Sequence, residues 1–503
     1  LMRQGLDPAK IGIAAPTGRA ARRLTESLQN GLESIAEPAP EDLALERLRG
    51  VTLHQLLRFQ PRRNRFAHDA ANPLVLDALV VDEVSMVDAA LMAHLLEAVD
   101  VARTRVVFLG DRDQLPSVDA GAVLADFLRL LAPEDQPPLY SREVLSIARE
   151  TLPDFSAAAV DAFQVMERAG ADPNGASRGR LTDHIVQLTE SFRSGDAILK
   201  VAATVNSGRA AEILDPAVLP ELPATAARGE ADVPGDRSWP EAGCYRIAAS
   251  EREAAAVREA VVLDWVREHF DGDYIRLVRA AAQAPERSGD ERPEGARGRP
   301  RTESLRNLLS DIFAHINGSR ILAIHRRGRS GVAGLNRVAA RWLESRLNGD
   351  SRAGRSSVGG GRGASGYFPG LPILITRNDH RRELYNGDVG VVLKVSTRSG
   401  PALRACFERP GGRFASFPIA VLPEFEAAFA LTVHKSQGSE YRRVLILLPD
   451  DTGHRLLSRE VLYTGLTRAK DLAILFGPTA ALEAAVGRKL LRETGSLYEF
   501  ERD

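Results

Sequence analysis

The chain has 503 residues, of which 44% are hydrophobic, and a formal net charge of −1. That length points to roughly two to four domains and to more than one core. The balanced charge excludes a uniformly basic nucleic-acid sponge, so any nucleic-acid site is a local groove. The two cysteines, Cys244 and Cys406, exclude a disulfide scaffold and a four-cysteine zinc site. They fit a reducing, cytoplasmic setting, and no apolar run of about eighteen residues signals a membrane span. Of 66 basic residues only Lys10, Lys200, Lys394, Lys435, Lys470 and Lys489 are lysine, the pattern expected from arginine-rich codon usage.

In chain order, 11–16 (IGIAAP), 78–83 (ALVVDE) and 105–110 (RVVFLG) read as buried strands. Helical patterns follow each, at 18–30, 87–99 and 119–131. Continuous apolar runs alternating with helices predict a parallel sheet with its active edge at the strands' carboxyl ends. Residues 1–135 are therefore expected to form one α/β lobe. Within it, 57–74 carries Phe59 and Phe66 on either side of a Pro-Arg-Arg-Asn turn, which suggests a short β-hairpin, although a plain surface loop would read similarly. Residues 136–180 read as a connector.

Strand-like runs at 320–325, 371–376, 427–433, 443–448 and 472–476, with helices at 332–347 and 458–469, read as a second α/β lobe over 181–366 and 424–503, although 371–376 falls between those two segments. Short strands at 387–394, 402–408 and 413–419, punctuated by Gly and Pro, predict a small antiparallel barrel over 367–423 inserted into that lobe. Two stretches, 281–304 and 349–366, are rich in Gly, Pro, Ser, Arg and acids and are expected to be flexible insertions.

Chemistry gathers at the strand ends. Asp82 and Glu83 close an apolar strand with adjacent carboxylates, one suited to Mg²⁺ and one to polarising water. Alone, such a pair is usually a surface turn. The loop Leu109–Pro116 follows the next strand, and its Gln114 can donate to a phosphate oxygen and accept from water. Ala15–Ala21 turns from strand to helix and offers free N–H groups, a phosphate seat or merely a tight turn. Arg193 and Arg468 each lie in a polar block, and a guanidinium suits the spread charge of a phosphoryl group in transfer. The block Thr432–Glu440 mixes hydroxyl, imidazole, ammonium, amide and carboxylate, more polarity than a structural turn needs.

Taken in order, APTGRAA, TLHQLL, DEVS, LGDRDQLPSV, ESFRS, TVHKSQGSE and YTGLTRAK resemble the motif set of superfamily 1 helicases. The resemblance covers about 1–135 and 181–503. FLGDRDQLPSVDAGAVLADF, GVAGLN at 331–336 and RNDHRRELYNGDVGVVL at 377–393 are similar to the RecD family within it. The resemblance implies two RecA-like lobes and a 5′-to-3′ DNA motor using ATP and Mg²⁺. It further implies partners RecB and RecC, single-stranded and duplex-end DNA as substrate, and a role in double-strand-break repair. It makes Asp82 and Glu83 the metal and water pair, with Asp82 on the metal. Gln114 becomes a phosphate sensor, Arg193 and Arg468 arginine fingers, and Gly438 and Glu440 neighbours of the nucleotide. Thr17, Arg19, Thr52, His54, Thr432 and His434 would line the single-strand track, with Phe59, Phe66 and Lys435 beside it.

One family element has no counterpart. No lysine sits in a glycine-rich G-x-x-G-x-G-K-[ST] loop; Lys435 alone precedes a Ser or Thr, and Thr-Val-His stands before it. The chain also opens on leucine, without the pattern of a signal peptide. We expect a fragment boundary just after that loop, and a fragment that is inactive by itself. A stand-alone or relaxase-linked helicase of the same superfamily, and a non-catalytic DNA-binding subunit, remain alternatives.

Overall fold

A computed structural model describes residues 6–117, 121, 123–131, 142–151, 184–186, 188, 191, 193–223, 239–249, 254–284, 305–348, 366–379, 381–397, 400–409 and 411–490. Of the expected insertions 281–304 and 349–366, all but residues 281–284 and 366 lie outside these residues, as does most of the 136–180 connector.

The first lobe is built on a parallel sheet of β1 (Ile11–Ala15), β2 (Val51–Thr52), β3 (Ala78–Val81) and β4 (Arg105–Phe108), in the order β2-β1-β3-β4. Strand alternation places Ile11 and Ile13 in one apolar cluster with Leu48, and Ala14 on the other face with Leu79 and Val81. Between β2 and β3, Gln60 and Arg65 form an antiparallel bridge around the expected turn, with Asn64 at φ 46°.

The second lobe holds β5 (Gly243–Ala248), β6 (Ser319–Ala323), β12 (Ala430–Thr432), β13 (Tyr441–Leu447) and β14 (Ala469–Gly477), all parallel, in the order β12-β6-β13-β14-β5. Along β13, Val444 and Ile446 face one core while Leu445 and Leu447 face another. Both faces are thus covered, which is why these strands read as unbroken apolar runs. One cover comprises helices Ala254–Phe270, Asp273–Gln283, Leu305–Gly318 and Val332–Asn348 around Trp265; the other includes Asp196–Ser207 and Arg459–Leu466.

Between helix Val332–Asn348 and β12 lies an antiparallel sheet of β7 (Pro372–Ile375), β8 (Val389–Thr397), β9 (Gly400–Arg409), β10 (Arg413–Pro418) and β11 (Phe425–Ala427), in the order β10-β9-β8-β7-β11. Among the described residues no ladder joins β10 to β11, so this is an open sheet and not the expected closed barrel.

Two further expectations are corrected here. The 371–376 strand belongs to the antiparallel sheet, and the 427–433 strand divides into β11 and β12, in different sheets. The division has a cause. Asn336 donates to the carbonyls of Ala427 (2.6 Å) and Ala430 (3.1 Å) and accepts from Ala430 N–H at 2.7 Å, while buried Arg320 donates to the Ala428 carbonyl. These side chains hold the backbone where it leaves one sheet for the other. Edge strand β5, buried only at Cys244 and Ile247, was not foreseen, nor were the three helices between 254 and 318. No described helix is long and apolar enough to cross a membrane.

Candidate nucleotide site between the lobes

The carboxyl ends of both parallel sheets carry strand-to-helix turns capped in the same way. Thr17 accepts from Ala20 N–H at 3.2 Å, Thr52 from Gln55 N–H at 3.2 Å, and Thr432 from Lys435 N–H at 3.3 Å. Each threonine satisfies an otherwise unpaired amide of a helix start. Three residues expected on the DNA track therefore have a structural task as well.

The helix that Thr17 starts, Gly18–Glu33, runs against the second lobe. Ala20 faces Gly438, where a Cβ would stand 3.6 Å from the Ala20 Cβ and where φ is +69°, the left-handed region that favours glycine. Gly18 lies against Tyr385 and Arg22 pairs with Asp388 at 3.1 Å, so the helix start expected to seat phosphate is packed on the antiparallel sheet's loop instead. Arg19 turns inward to Tyr441 and Arg320. Burial would raise the Tyr441 phenol, but the charges of Arg19 and Arg320 pull it below its ordinary value. A role for Arg19 on the DNA track has no support from this orientation.

Asp82 and Glu83 stand where expected, at the end of β3. Asp82 Oδ1 accepts from the Glu83 N–H at 2.8 Å, and Glu83 adopts φ 52°, ψ 41°. A left-handed non-glycine residue stores strain, and here it sends the side chain into the lobe interface. Burial pushes the Glu83 carboxyl above its ordinary value, with Arg468, Arg23 and Arg193 opposing and Asp82 assisting. Arg468 is 1% exposed and donates to the carbonyls of Thr464 (3.1 Å) and Ser439 (3.3 Å). Burial lowers its pKa, while Glu83 and Asp111 sustain the charge. Glu83 of the first lobe thus lies among the charges of Arg468 and Arg193 of the second.

Gln114 lies on the same side. Its Nε2 donates to Asp111 Oδ2 at 3.2 Å, and Tyr463 of the second lobe donates to that same oxygen at 2.9 Å. The Gln114 Oε1 is buried and accepts no hydrogen bond among the described residues. Such an orphaned acceptor at a lobe interface fits a site completed by a water or a ligand group. Leu115, the next residue, is clamped by the second lobe: its N–H donates to Thr464 Oγ1 and its carbonyl accepts from Gln437 Nε2, both at 2.9 Å. A cleft of about 540 Å³, lined by Arg193, Gly195, Gly243 and Lys470, opens on the second lobe, with no first-lobe residue in its lining.

Glu440 gathers cations. Its Oε1 meets Arg193 Nε at 2.6 Å and also pairs with Arg23, and its Oε2 meets Lys470 Nζ at 3.1 Å. Arg23 was not singled out in the sequence; it is one arginine of an amphipathic helix, and only the packing of that helix on the second lobe reveals it. The same holds for Tyr463, Thr464 and Lys470. Thr189, Glu190 and Phe192, which surround Arg193 in sequence, lie outside the described residues.

The remaining residues separate into two groups. His54 packs edge-on to Phe59 (ring centroids 5.5 Å) and against Phe66 (5.7 Å), and Phe66 lies on His94 (4.8 Å), so the hairpin base is an aromatic cluster. Lys435 pairs with Glu426 at 2.7 Å, beside half-buried His434 on the short helix Val433–Ser436.

Comparison with known proteins decides the family. The AAA domain family matches residues 1–120, and the UvrD-like helicase C-terminal domain family matches 427–476. The RecBCD enzyme subunit RecD of Mycolicibacterium smegmatis is 33% identical over 492 residues, covering 98% of this chain and 66% of that protein. The chain belongs to the RecD family of superfamily 1 helicases. RecD of Haemophilus influenzae is 29% identical over 96% of the chain and 64% of its own length. The ATP-dependent RecD2 DNA helicase of Deinococcus radiodurans is 26% identical over 97% of the chain and 46% of its length. The chain thus spans 64–66% of the length of the RecD subunits it matches most strongly. A Pif1 helicase from Bacteroides with ADP-AlF3 and single-stranded DNA covers all of this chain and 95% of its own at 15% identity, with a TM-score of 0.39. At that score the likeness adds nothing to the topology described above.

RecD-family membership gives the cluster a chemical sense. Among the described residues no three His, Cys, Asp or Glu side chains converge as a metal cage. A Mg²⁺ in this site would rest on Asp82, with phosphate and water completing its shell, as that ion commonly does. When bound, Mg·ATP would supply the phosphoryl group and neutralise its charge; the protein supplies Glu83 and Gln114 on one wall and Arg193 and Arg468 on the other.

Proposed function

We propose that this chain is the motor part of an ATP-dependent 5′-to-3′ DNA helicase, acting with RecB and RecC in a RecBCD-type exodeoxyribonuclease V that processes double-strand breaks for recombination. The observation that carries this reading is that Glu83 of one lobe lies among the charges of Arg468 and Arg193 of the other, while Gln114 and the second lobe's Tyr463 share Asp111. Glu83, once ionised, accepts a proton from the attacking water, and Gln114 Oε1 orients that water. Arg193 and Arg468 stabilise charge developing on the transferred group. Because the walls belong to different lobes, bound triphosphate favours closure and its loss favours opening, which is the differential affinity a motor needs.

The polynucleotide would cross the strand-end turns of both sheets, at Thr17, Thr52, His54, Thr432 and His434, with Lys435 nearby. The Gln60–Arg65 hairpin, based on Phe59 and Phe66, would stand at the strand-separation point. Binding of this kind follows the backbone, depends on salt and ignores sequence.

The likeness to a RecD2 helicase supports a stand-alone motor as the second reading. The two differ in whether RecB and RecC co-purify with the native protein. The complete set of Asp82, Glu83, Gln114, Arg193 and Arg468 speaks against a subunit without catalysis. The 503 residues contain no glycine-rich GK[ST] loop, so several charge-assisted phosphate contacts of about 1.5–3 kcal/mol each are missing from them. Expressed alone, the chain is expected to hydrolyse ATP near background. Turnover by the isolated 503 residues at the rate of an intact helicase would overturn the assignment of roles.

A further inference from the structure

Glu440 occupies a position that its surroundings suit better to a polyanion than to a carboxylate. Its side chain is 11% exposed and faces three cations: Arg23 of the first lobe, and Arg193 and Lys470 of the second. Arg468 and Glu83 belong to the same electrostatic cluster. Burial together with Arg193 and Arg468 depresses the Arg23 guanidinium to about 10. Four cations, Arg23, Arg193, Arg468 and Lys470, thus share a site with Asp82, Glu83 and Glu440. The cations that would grip a phosphate are already bound, and the group that binds them is part of the chain.

We propose that Glu440 is an internal stand-in for the nucleotide's phosphate: it ties Arg23 to Arg193 across the lobe interface, and a triphosphate displaces it and takes over these cations. This rests on the nucleotide-site reading above and adds Arg23 to the site as a triphosphate-binding residue. The exchange is physically reasonable because a phosphate carries more charge and more acceptor oxygens than a carboxylate, and a guanidinium binds both in the same forked geometry. Two consequences follow. The ion pair bridges part of the lobe interface without nucleotide, so it tempers the opening that follows loss of the triphosphate. Nucleotide binding is weaker than the cation cluster alone would give, because each binding event first breaks the Glu440 pairs.

The sign of one substitution separates this role from the direct nucleotide contact that the family resemblance implies for Glu440. In the native full-length protein, isothermal titration measures binding of Mg·AMP-PNP and of inorganic tripolyphosphate, which has no ribose or base. Glu440→Gln keeps the shape and removes the charge. It is expected to bind tripolyphosphate and AMP-PNP about tenfold more tightly than wild type. In an Arg23→Gln background, which itself binds tripolyphosphate more weakly, most of that gain should disappear. Thermal melting and far-UV circular dichroism establish that each variant is folded. Should Glu440→Gln fail to fold, Glu440→Asp is the substitute: its shorter side chain releases the cations, and it must also bind tripolyphosphate more tightly. Unchanged or weaker tripolyphosphate binding in a folded Glu440 variant overturns the exchange and leaves the nucleotide site standing. No AMP-PNP binding by the wild-type native protein overturns the site and the exchange together.

Discussion

Leu115 donates its backbone N–H to Thr464 Oγ1 at 2.9 Å, across a sequence separation of 349 residues. Its carbonyl is held by Gln437, and its side chain, 1% exposed, lies in the apolar core of the second lobe although the loop that carries it follows a first-lobe strand. Gln114 immediately precedes it. One short segment therefore holds both the proposed phosphate sensor and the anchor between lobes, so a shift of Gln114 would reach the second lobe through packed atoms and two hydrogen bonds.

Replacing Leu115 by alanine should loosen that anchor. A buried Leu→Ala change commonly costs about 2–5 kcal/mol, and here the loss falls on the lobe contact. Unwinding by the native protein should fall further than its DNA-stimulated ATP hydrolysis, because hydrolysis would continue while its transmission weakens. A strand-displacement assay run beside a phosphate-release assay gives the ratio. An unchanged ratio would remove Leu115 from the coupling path.

Glu83→Gln should reduce ATP hydrolysis by about 100-fold or more, the usual scale for loss of a general base. It should not lower the melting temperature at pH 7. Folding raises the Glu83 carboxyl, so the fold favours its neutral form. That contribution to stability is fully present below the unfolded pKa and is lost as pH rises through the folded value. Ionised Glu83 is thus unfavourable at neutral pH, and glutamine relieves it. For the same reason the acid limb of the wild-type ATPase profile should lie above the ordinary glutamate range. In Arg23→Gln that limb should move to still higher pH, because Arg23 is one of the charges that lower Glu83. A limb that moves to lower pH in this variant would contradict the arrangement.

Much of this was legible beforehand, and the reason is local. Runs such as VLILL in β13 and LAILF in β14 are buried on both faces, so their composition declares them without knowledge of partners. Asp82, Glu83 and Gln114 sit at strand ends, where a parallel sheet gathers its chemistry. What the sequence hid depends on packing between distant segments. The run 427–433 is apolar up to Thr432, and nothing in it marks the point where Asn336 divides it between two sheets. Arg23 resembles any other arginine of its helix until Glu440 is found opposite it. Nor does the sequence show that Lys435, expected beside the single-strand track, is paired with Glu426 at 2.7 Å.

Deleting residues 60–65 removes the bridge between Gln60 and Arg65. It leaves Phe66 on His94, so the aromatic base can survive. DNA-stimulated ATP hydrolysis by the native protein should persist and duplex unwinding should fall sharply. Equal retention of both would show that this turn does not separate strands.

Thr52→Ala should destabilise the fold by about 1 kcal/mol, the usual value of a lost helix cap. Thr52→Ser keeps the acceptor and should restore stability. Urea unfolding of both variants supplies the test. If alanine and serine behave alike, the capping geometry does not contribute to stability.

The decisive measurement is a structure of the native protein with Mg²⁺, ADP and aluminium fluoride on single-stranded DNA. The fluoride adduct is predicted to lie between the lobes, within about 3 Å of groups on Gln114, Arg193 and Arg468, with Asp82 facing the metal and Glu83 facing the attacking water. Nucleotide density outside this interface, or an adduct contacted by one lobe alone, would contradict the account.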